Sequence, residues 1–301
     1  MRELLLLISI LLGQLTPNTS LSTQVENNLR LAPKSATQKL DETGQERIIA
    51  SPTKTVAEDY TATAKAVYSI DLTSNKVLTS KDTDTRLPIA SLTKLMTAYI
   101  ILKEEKTLTR VVTVDNPATQ DGDSTMGLIN GDSVTIQTLL EGLLITSGSD
   151  AAGTLATMNS GNTDAFVHKM NAYATSLNLK NTHFTNPVGW DNAQNYSSAK
   201  DMTELTRILL RNELFAHIVA TEAKTVTTTS GRAIVLNTTN QLLHTLGYSG
   251  VKTGYTYGAG ECLITLYKDK ETQIITTIIG SANRFGETDS IKGWILNHFS
   301  W

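Results

Sequence analysis

The 301-residue sequence contains one cysteine, Cys262, and five scattered histidines. One cysteine cannot form an intrachain disulfide bond, and neither residue type occurs at the spacing of a metal site. We therefore expect no metal and no other cofactor. Blocks of basic residues are also missing, and 26 Lys and Arg against 29 Asp and Glu give a net charge of -3 at pH 7. That balance argues against nucleic acid as a partner.

Long apolar runs are scarce as well. The run Leu4 to Leu12 at the N terminus is shorter than the ~20 residues that span a bilayer comfortably. Arg2 precedes it, and a charge followed by an apolar run of this length is typical of a secretory signal peptide. We predict a signal peptide over residues 1–15. Because no Ala-x-Ala site follows, a short N-terminal membrane anchor is the alternative; because no cysteine follows, a lipoprotein anchor is excluded.

The predicted domain organisation follows from a change in composition after this run. Residues 16–60 are rich in Thr, Ser, Asn, Gln, Lys and Glu, which predicts a disordered polar linker. The rest of the chain has enough apolar residues for a packed core. We therefore predict one folded domain over residues 61–301, held outside the cytoplasm, either secreted or anchored by the N terminus.

The order of patterns within this domain predicts its fold class. Two strand patterns come first, helical spacing dominates from about Thr107 to Lys200, and strand patterns return from Gly250 to Ser281. We expect an α+β fold, in which both ends of the domain join one antiparallel sheet and the helices form a second lobe. A site would lie in the cleft between them. A closing helix to Trp301 is predicted, with Asp289 or Ser290 as its cap.

Three short motifs carry the chemical information: Ser91-Leu-Thr-Lys94, Ser147-Gly-Ser149 and Lys252-Thr253-Gly254. Four S-x-x-K tetrapeptides occur, and the copy at Ser91 is distinguished by Pro88 before it and apolar helical spacing after it. Residues at i and i+3 share a helix face, so the Lys94 amine can reach the Ser91 hydroxyl. Burial would lower the pKa of Lys94 and make it a base. We read Asp150 as a helix cap, His183 as structural and Cys262 as a buried strand residue.

From about Ala64 to Trp301 the chain resembles the serine D-alanyl-D-alanine carboxypeptidases among the low-molecular-mass penicillin-binding proteins. The resemblance rests on the segments around the three motifs and on those between them, which are Pro88–Ala98, Leu143–Ala152, Leu179–Gly189, Tyr196–Met202, Asn240–Leu243 and Gly250–Gly260. It implies a β-lactamase/transpeptidase-like fold. It also implies peptidoglycan stem peptides ending in D-Ala-D-Ala as substrates, β-lactams as covalent inhibitors and a role in peptidoglycan maturation and cell shape.

The resemblance also assigns roles to single residues. Ser91 would be the acyl-ester nucleophile, Lys94 its general base and Ser147 a proton relay. Lys252 and Thr253 would receive the terminal carboxylate of the substrate. The remaining expected positions are Gly254, beside the substrate backbone, the backbone N–H groups of Ser91 and Tyr255, as the oxyanion hole, and Ser149, as a substrate-binding residue.

Two departures from the family pattern keep alternatives open. Ser149 stands where the family has asparagine, which puts the binding of the substrate in question. The chain also ends soon after the catalytic lobe. A β-lactamase is the nearest rival, but no Glu-x-x-Leu-Asn element occurs between Ser149 and Lys252. An endopeptidase or a transpeptidase would use the same motifs. A non-catalytic wall-binding protein is favoured only by Ser149.

Overall fold

The computed structural model describes residues 51–301 except 116, 118 and 271, together with the backbone of residues 37–40 and 46–49. The predicted signal peptide lies outside the described residues. Strands β1 (Thr37–Leu40) and β2 (Glu46–Ile49) form an antiparallel hairpin inside the segment predicted as a linker. A second unit starts at Pro52, earlier than the predicted boundary at residue 61. This is because β3 (Thr53–Lys54) pairs with β13 (Phe299–Ser300).

A five-stranded antiparallel sheet forms the centre of the second unit, in the order β10-β11-β12-β4-β5. The predicted union of the two ends of the domain is confirmed, because β12 pairs with β4 through the register Ile275↔Ile70. The sheet strands are β4 (Ala66–Asp71), β5 (Val77–Lys81), β10 (Tyr248–Thr256), β11 (Gly260–Asp269) and β12 (Thr272–Ser281).

Helices occupy the middle of the unit, as the spacing predicts, and the α+β fold class is confirmed. They are α1 (Lys94–Glu104), α2 (Ile136–Ile145), α3 (Ser149–Ser160), α4 (Thr163–Ser176), α5 (Ala199–Leu209), α6 (Glu213–Val219) and α7 (Arg284–His298). Two small hairpins were not predicted, β6 (Val111–Thr113) with β7 (Ser133–Thr135) and β8 (Ala223–Thr227) with β9 (Ala233–Asn237). None of the described helices is long and apolar enough to cross a bilayer.

Helix α1 passes through the core of the unit. Its side chains Leu95, Met96, Ile100 and Ile101 have no exposed area, and helices α2 to α5 and the sheet provide other members of the same cluster. A helix apolar on all sides is stable only when it is enclosed in this way. The short 3-10 turn Ala90–Thr93 leads directly into it. The first turn of α1 is therefore fixed in position by the packing of the whole helix.

The closing helix α7 begins earlier than predicted. Its N-cap is Asn283, whose side chain accepts a hydrogen bond from Gly286 N at 3.1 Å, so the predicted cap at Asp289 or Ser290 is wrong. Glu287 in its first turn accepts hydrogen bonds from the backbone N–H groups of Thr63 (2.6 Å) and Ala64 (2.8 Å). Burial raises the pKa of this carboxyl, but the hydrogen bonds from Ser281, Ala64 and Thr63 outweigh it and lower the pKa.

Candidate active site

Ser91 lies in the 3-10 turn, and Lys94 is the first residue of α1. The Lys94 Nζ lies 2.9 Å from Ser91 Oγ, as the i, i+3 spacing predicts. It also donates to the carbonyl of Val188 at 2.9 Å and to Ser149 Oγ at 3.3 Å. Since the Val188 carbonyl can only accept, one N–H of Lys94 is committed to it whether or not the amine is protonated. The nitrogen is thereby held against Ser91.

The environment of Lys94 makes its neutral form accessible near neutral pH. The side chain is 1% exposed, and burial lowers its pKa to about 7, although the charges of Asp123 and Asp150 act in the opposite direction. An ammonium transferred from water into a protein interior is destabilised relative to the amine. A neutral Lys94 has a lone pair that can accept the Ser91 proton. The pair can therefore generate a nucleophilic oxygen without histidine.

A second serine–lysine pair faces this one from the helical lobe and the sheet. Ser147 precedes α3 and has a left-handed backbone with φ of 62°. Lys252 on β10 donates to Ser147 Oγ at 2.7 Å and to the carbonyl of Thr253 at 2.9 Å. Burial lowers the pKa of Lys252 well below its usual value, and the positive charges of Lys94 and Arg284 add to the effect. A buried amine beside a hydroxyl is suited to passing a proton through it.

Gly254 allows β10 to approach the turn that carries Ser91. A Cβ at this position would lie 3.1 Å from Ile89 O and 3.2 Å from Ser91 N. The backbone of the 3-10 turn therefore lies where a side chain at position 254 would begin. Gly189 makes a closer approach from the other side: its φ is 101°, and a Cβ would lie 2.0 Å from Ala90 O. The nucleophile turn is thus enclosed by two backbone contacts that exclude side chains.

The loop before β7 forms one wall of the site, and Asp150 holds it. The sequence predicted Asp150 as the cap of α3, but this prediction is wrong, because the N-cap is Gly148. The Asp150 carboxylate is 1% exposed and accepts from the backbone N–H groups of Met126, Gly127 and Leu128 at 2.9 to 3.0 Å. A carboxylate with three such donors fixes a loop that has no regular structure of its own. The helix and the loop are therefore one structural unit.

The predicted site residues lie together around one cleft of about 170 Å³. Ser91, Lys94, Ser147, Ser149, Thr253, Gly254 and Tyr255 line it. Lys252 is 1% exposed and lies behind the wall, in contact with Ser147. His183 bonds to the backbone of Gln194, consistent with a structural role. The described residues include no cluster of acidic, His and Cys side chains that could bind a metal ion.

Sequence reasoning missed several residues of the lining, among them Asp123, Trp190, Thr239 and Arg284. Trp190 Nε1 donates to both carboxylate oxygens of Asp123 at 3.0 Å. Arg284 donates through Nη1 to Gly254 O at 2.8 Å, and its buried Nε has no hydrogen-bond partner. The strand pattern that ends at Ser281 could have indicated Arg284. This arginine comes three residues later, at the end of β12 that pairs with the start of β11.

The fold and the two serine–lysine pairs are typical of the penicillin-binding class of serine proteins. The chain belongs to the D-alanyl-D-alanine carboxypeptidase family, which matches residues 52–283. The D-alanyl-D-alanine carboxypeptidase DacF of Bacillus subtilis is 34% identical over 224 residues, which are 73% of this chain and 58% of that protein. The D-alanyl-D-alanine carboxypeptidase of Streptomyces sp. strain K15 is 34% identical over 257 residues, 79% of this chain and 87% of that protein.

Solved structures agree with the sequence relatives. The crystal structure of the Streptomyces K15 DD-transpeptidase superimposes with a TM-score of 0.73 and 32% identity, covering 80% of this chain and 98% of that chain. The D-alanyl-D-alanine carboxypeptidase DacD of Francisella tularensis gives 0.72 and 25% identity, covering 80% and 71%. The chain spans 58% of the length of the Bacillus relative and 62% of Escherichia coli DacC.

Proposed function

We propose that the protein is a serine-type D-alanyl-D-alanine carboxypeptidase, which removes the terminal D-alanine of peptidoglycan stem peptides and is acylated by penicillin. The observation that supports this most directly is the pairing of two buried lysines with two serines around one cleft, at 2.9 Å for Lys94–Ser91 and 2.7 Å for Lys252–Ser147. One pair suits the formation of a nucleophile, and the other suits proton delivery to a leaving group.

Acylation uses both pairs in turn. Neutral Lys94 accepts the Ser91 proton as Oγ forms a bond to the carbonyl carbon of the penultimate D-alanine. The backbone N–H groups of Ser91 and Tyr255 stabilise the oxyanion. Ser147 then donates its proton to the departing amine as the C–N bond breaks, and takes up in its place the proton that Lys94 accepted, while Lys252 holds Ser147 through their hydrogen bond. D-alanine leaves, and the remaining peptide is an ester of Ser91.

Hydrolysis of this ester completes the cycle. A water molecule gives a proton to neutral Lys94 and bonds to the ester carbonyl carbon, and the C–O bond to Ser91 then breaks. Ser91 regains its proton from Lys94. Because the chain has no Glu-x-x-Leu-Asn element to position such a water, we expect release of bound penicillin to be slow. A β-lactamase would instead turn over a cephalosporin rapidly.

The terminal carboxylate of the substrate lies, in this proposal, against Thr253 and Arg284. The sequence also predicts Lys252 for this task, but that amine is buried and already bonded to Ser147 and to Thr253 O. Arg284 lines the cleft, and a guanidinium suits a carboxylate. Lys252 then acts mainly on Ser147, which it holds by a hydrogen bond from behind the wall. Ser149, which contacts Lys94, completes the substrate side of the cleft.

The proposed place of action is outside the cytoplasm, at the cell wall. A signal peptide or N-terminal anchor over residues 1–15 would bring the folded unit there, and the substrate named for the family is found there. The proposed cellular roles are peptidoglycan maturation and cell shape. Deletion of residues 1–15 should leave the protein in the cytoplasm, which cell fractionation would detect.

The test of the proposed function is D-alanine release from a pentapeptide ending in D-Ala-D-Ala. Ser91→Ala should abolish both release and labelling by fluorescent penicillin. Ser51→Ala is a matched control, because Ser51 also begins an S-x-x-K tetrapeptide but lies outside the cleft. Penicillin labelling that survives in Ser91→Ala would refute the nucleophile assignment. Penicillin labelling without D-alanine release would favour an endopeptidase or a transpeptidase, and the absence of both would favour a wall-binding protein.

A further inference from the structure

Two threonine hydroxyls meet at the wall of the cleft. Thr239 lies between β9 and the 3-10 turn Gln241–His244, and Thr253 lies on β10. Their Oγ1 atoms are 2.5 Å apart, and both residues line the cleft. The backbone holds Thr239 in place, because its N–H donates to Ile145 O at the end of α2 at 3.3 Å. Through its two hydrogen bonds, Thr239 therefore joins helix α2 of the helical lobe to β10 at the edge of the sheet.

The number of protons in this pair leaves one donor for a ligand. Each hydroxyl has one proton to donate and can accept twice. Only one of the two protons lies between the oxygens, and among the described residues neither hydroxyl has a second hydrogen-bond partner. One O–H of the pair is therefore available at the cleft wall, whichever oxygen donates to the other. Arg284 lines the same cleft, and its guanidinium can donate hydrogen bonds but cannot accept them.

We propose that Thr239 is a positioning residue for the carboxylate of the substrate, acting through the Thr253 hydroxyl. The inference rests on the proposed carboxypeptidase function. A threonine side chain can turn either its hydroxyl or its methyl group toward the cleft, because both are attached to Cβ. The hydrogen bond between the two hydroxyls, whichever of them donates, selects the rotamer of Thr253 that presents oxygen. The free O–H of the pair then donates a hydrogen bond to a carboxylate oxygen.

The test measures binding without catalysis, in the Ser91→Ala background of the full chain. The ligands are an N-acetylated tripeptide ending in D-Ala-D-Ala and the same peptide as its C-terminal amide, titrated by calorimetry. Thr239→Val keeps the side-chain shape and should weaken binding of the acid about tenfold, the value of one hydrogen bond to a charged acceptor. Binding of the amide should not change. Thr239→Ser should bind the acid as the parent does.

Thr227→Val is the matched control, because Thr227 is exposed on β8 and outside the cleft. It should bind the acid as tightly as the parent. Equal losses for acid and amide in Thr239→Val would assign Thr239 a purely structural role and overturn the inference, as would no loss for the acid. D-alanine release by the protein with intact Ser91 is measured separately. An acid-specific loss with no D-alanine release would refute hydrolysis alone, whereas release with no acid-specific loss would refute the inference alone.

Discussion

Replacement of Asp123 by asparagine should shift the pH dependence of Ser91 acylation to lower pH. Burial lowers the pKa of Lys94 to about 7, and the negative charge of Asp123 opposes that shift by stabilising the ammonium. Without this charge the pKa of Lys94 falls further, so more of the amine is neutral under acidic conditions. Asparagine retains one oxygen that can accept the hydrogen bond from Trp190 Nε1, but it lacks the second carboxylate oxygen, and Gln120 N donates to Oδ2 at 2.8 Å. The contact between Trp190 and this wall of the cleft should therefore remain in place.

The magnitude for the unmodified protein follows from the pKa of Lys94 itself. Each pH unit changes the ratio of amine to ammonium tenfold. With a pKa of about 7, about one Lys94 in a hundred is neutral at pH 5 and about half at pH 7. The acylation rate constant should therefore rise about fiftyfold between these pH values and reach a plateau above about pH 8. In Asp123→Asn the midpoint should lie below that of the unmodified protein.

The assay is the second-order rate constant for labelling by a fluorescent penicillin between pH 5 and pH 9.5. Asp121→Asn is a matched control, since Asp121 is exposed in the same loop and should leave the midpoint unchanged. A circular dichroism spectrum at each pH would show that the protein stays folded. A rate that still rises tenfold per unit between pH 8 and pH 9.5 would mean that Lys94 titrates as an ordinary lysine. A midpoint that moves upward in Asp123→Asn would refute the electrostatic reasoning.

Three further predictions test the fold and the site. Glu287→Gln should lower the free energy of unfolding by about 1–2 kcal/mol in urea denaturation at pH 7. Because the pKa of Glu287 is lowered in the folded protein, this contribution is present above the unfolded pKa and disappears as pH falls through the folded pKa. The unmodified protein and Glu287→Gln should therefore have similar free energies of unfolding in acid. Gly189→Ala should abolish penicillin labelling or folding, whereas Gly131→Ala, with positive φ but open space, should lower stability by only about 1 kcal/mol. Ser149→Ala should slow acylation by less than about tenfold, because two other partners still hold Lys94.

The sequence predicted helices and strands well where the pattern of apolar residues reflects which residues of that helix or strand are buried. Helix α2 lies within the region of predicted helical spacing and strand β12 ends at Ser281 as predicted, because their apolar residues pack against the core at regular intervals. The start of α7 was predicted too late, since Gly286 in its first turn suggests a loop. The hydrogen bond from Gly286 N to the Asn283 side chain stabilises that turn, and the pattern of apolar residues contains no trace of it.

The site was predictable as far as its motifs extend. The distance from Ser91 to Lys94 is set by helix geometry, so a local spacing is sufficient to infer it. Val188, Thr239 and Asp123 were missed because they lie in loops, where neighbours along the chain do not determine which atoms meet. The contact between Lys94 and Val188 O joins residues 94 apart in the sequence. Such contacts depend on the final packing of the lobes and leave no periodic signal.

The sheet order has a consequence for the timing of folding. Strand β4, which precedes Ser91, pairs with β12, which follows Lys252, and the Lys252–Ser147 contact spans 105 residues. Loop closure over such distances is slow, so the acylating centre is assembled late, after nearly the whole polypeptide is present. A nascent chain should therefore be inert toward penicillin. Covalent labelling would then report completed maturation of each molecule, and a pulse of labelled antibiotic could time its arrival in the folded state.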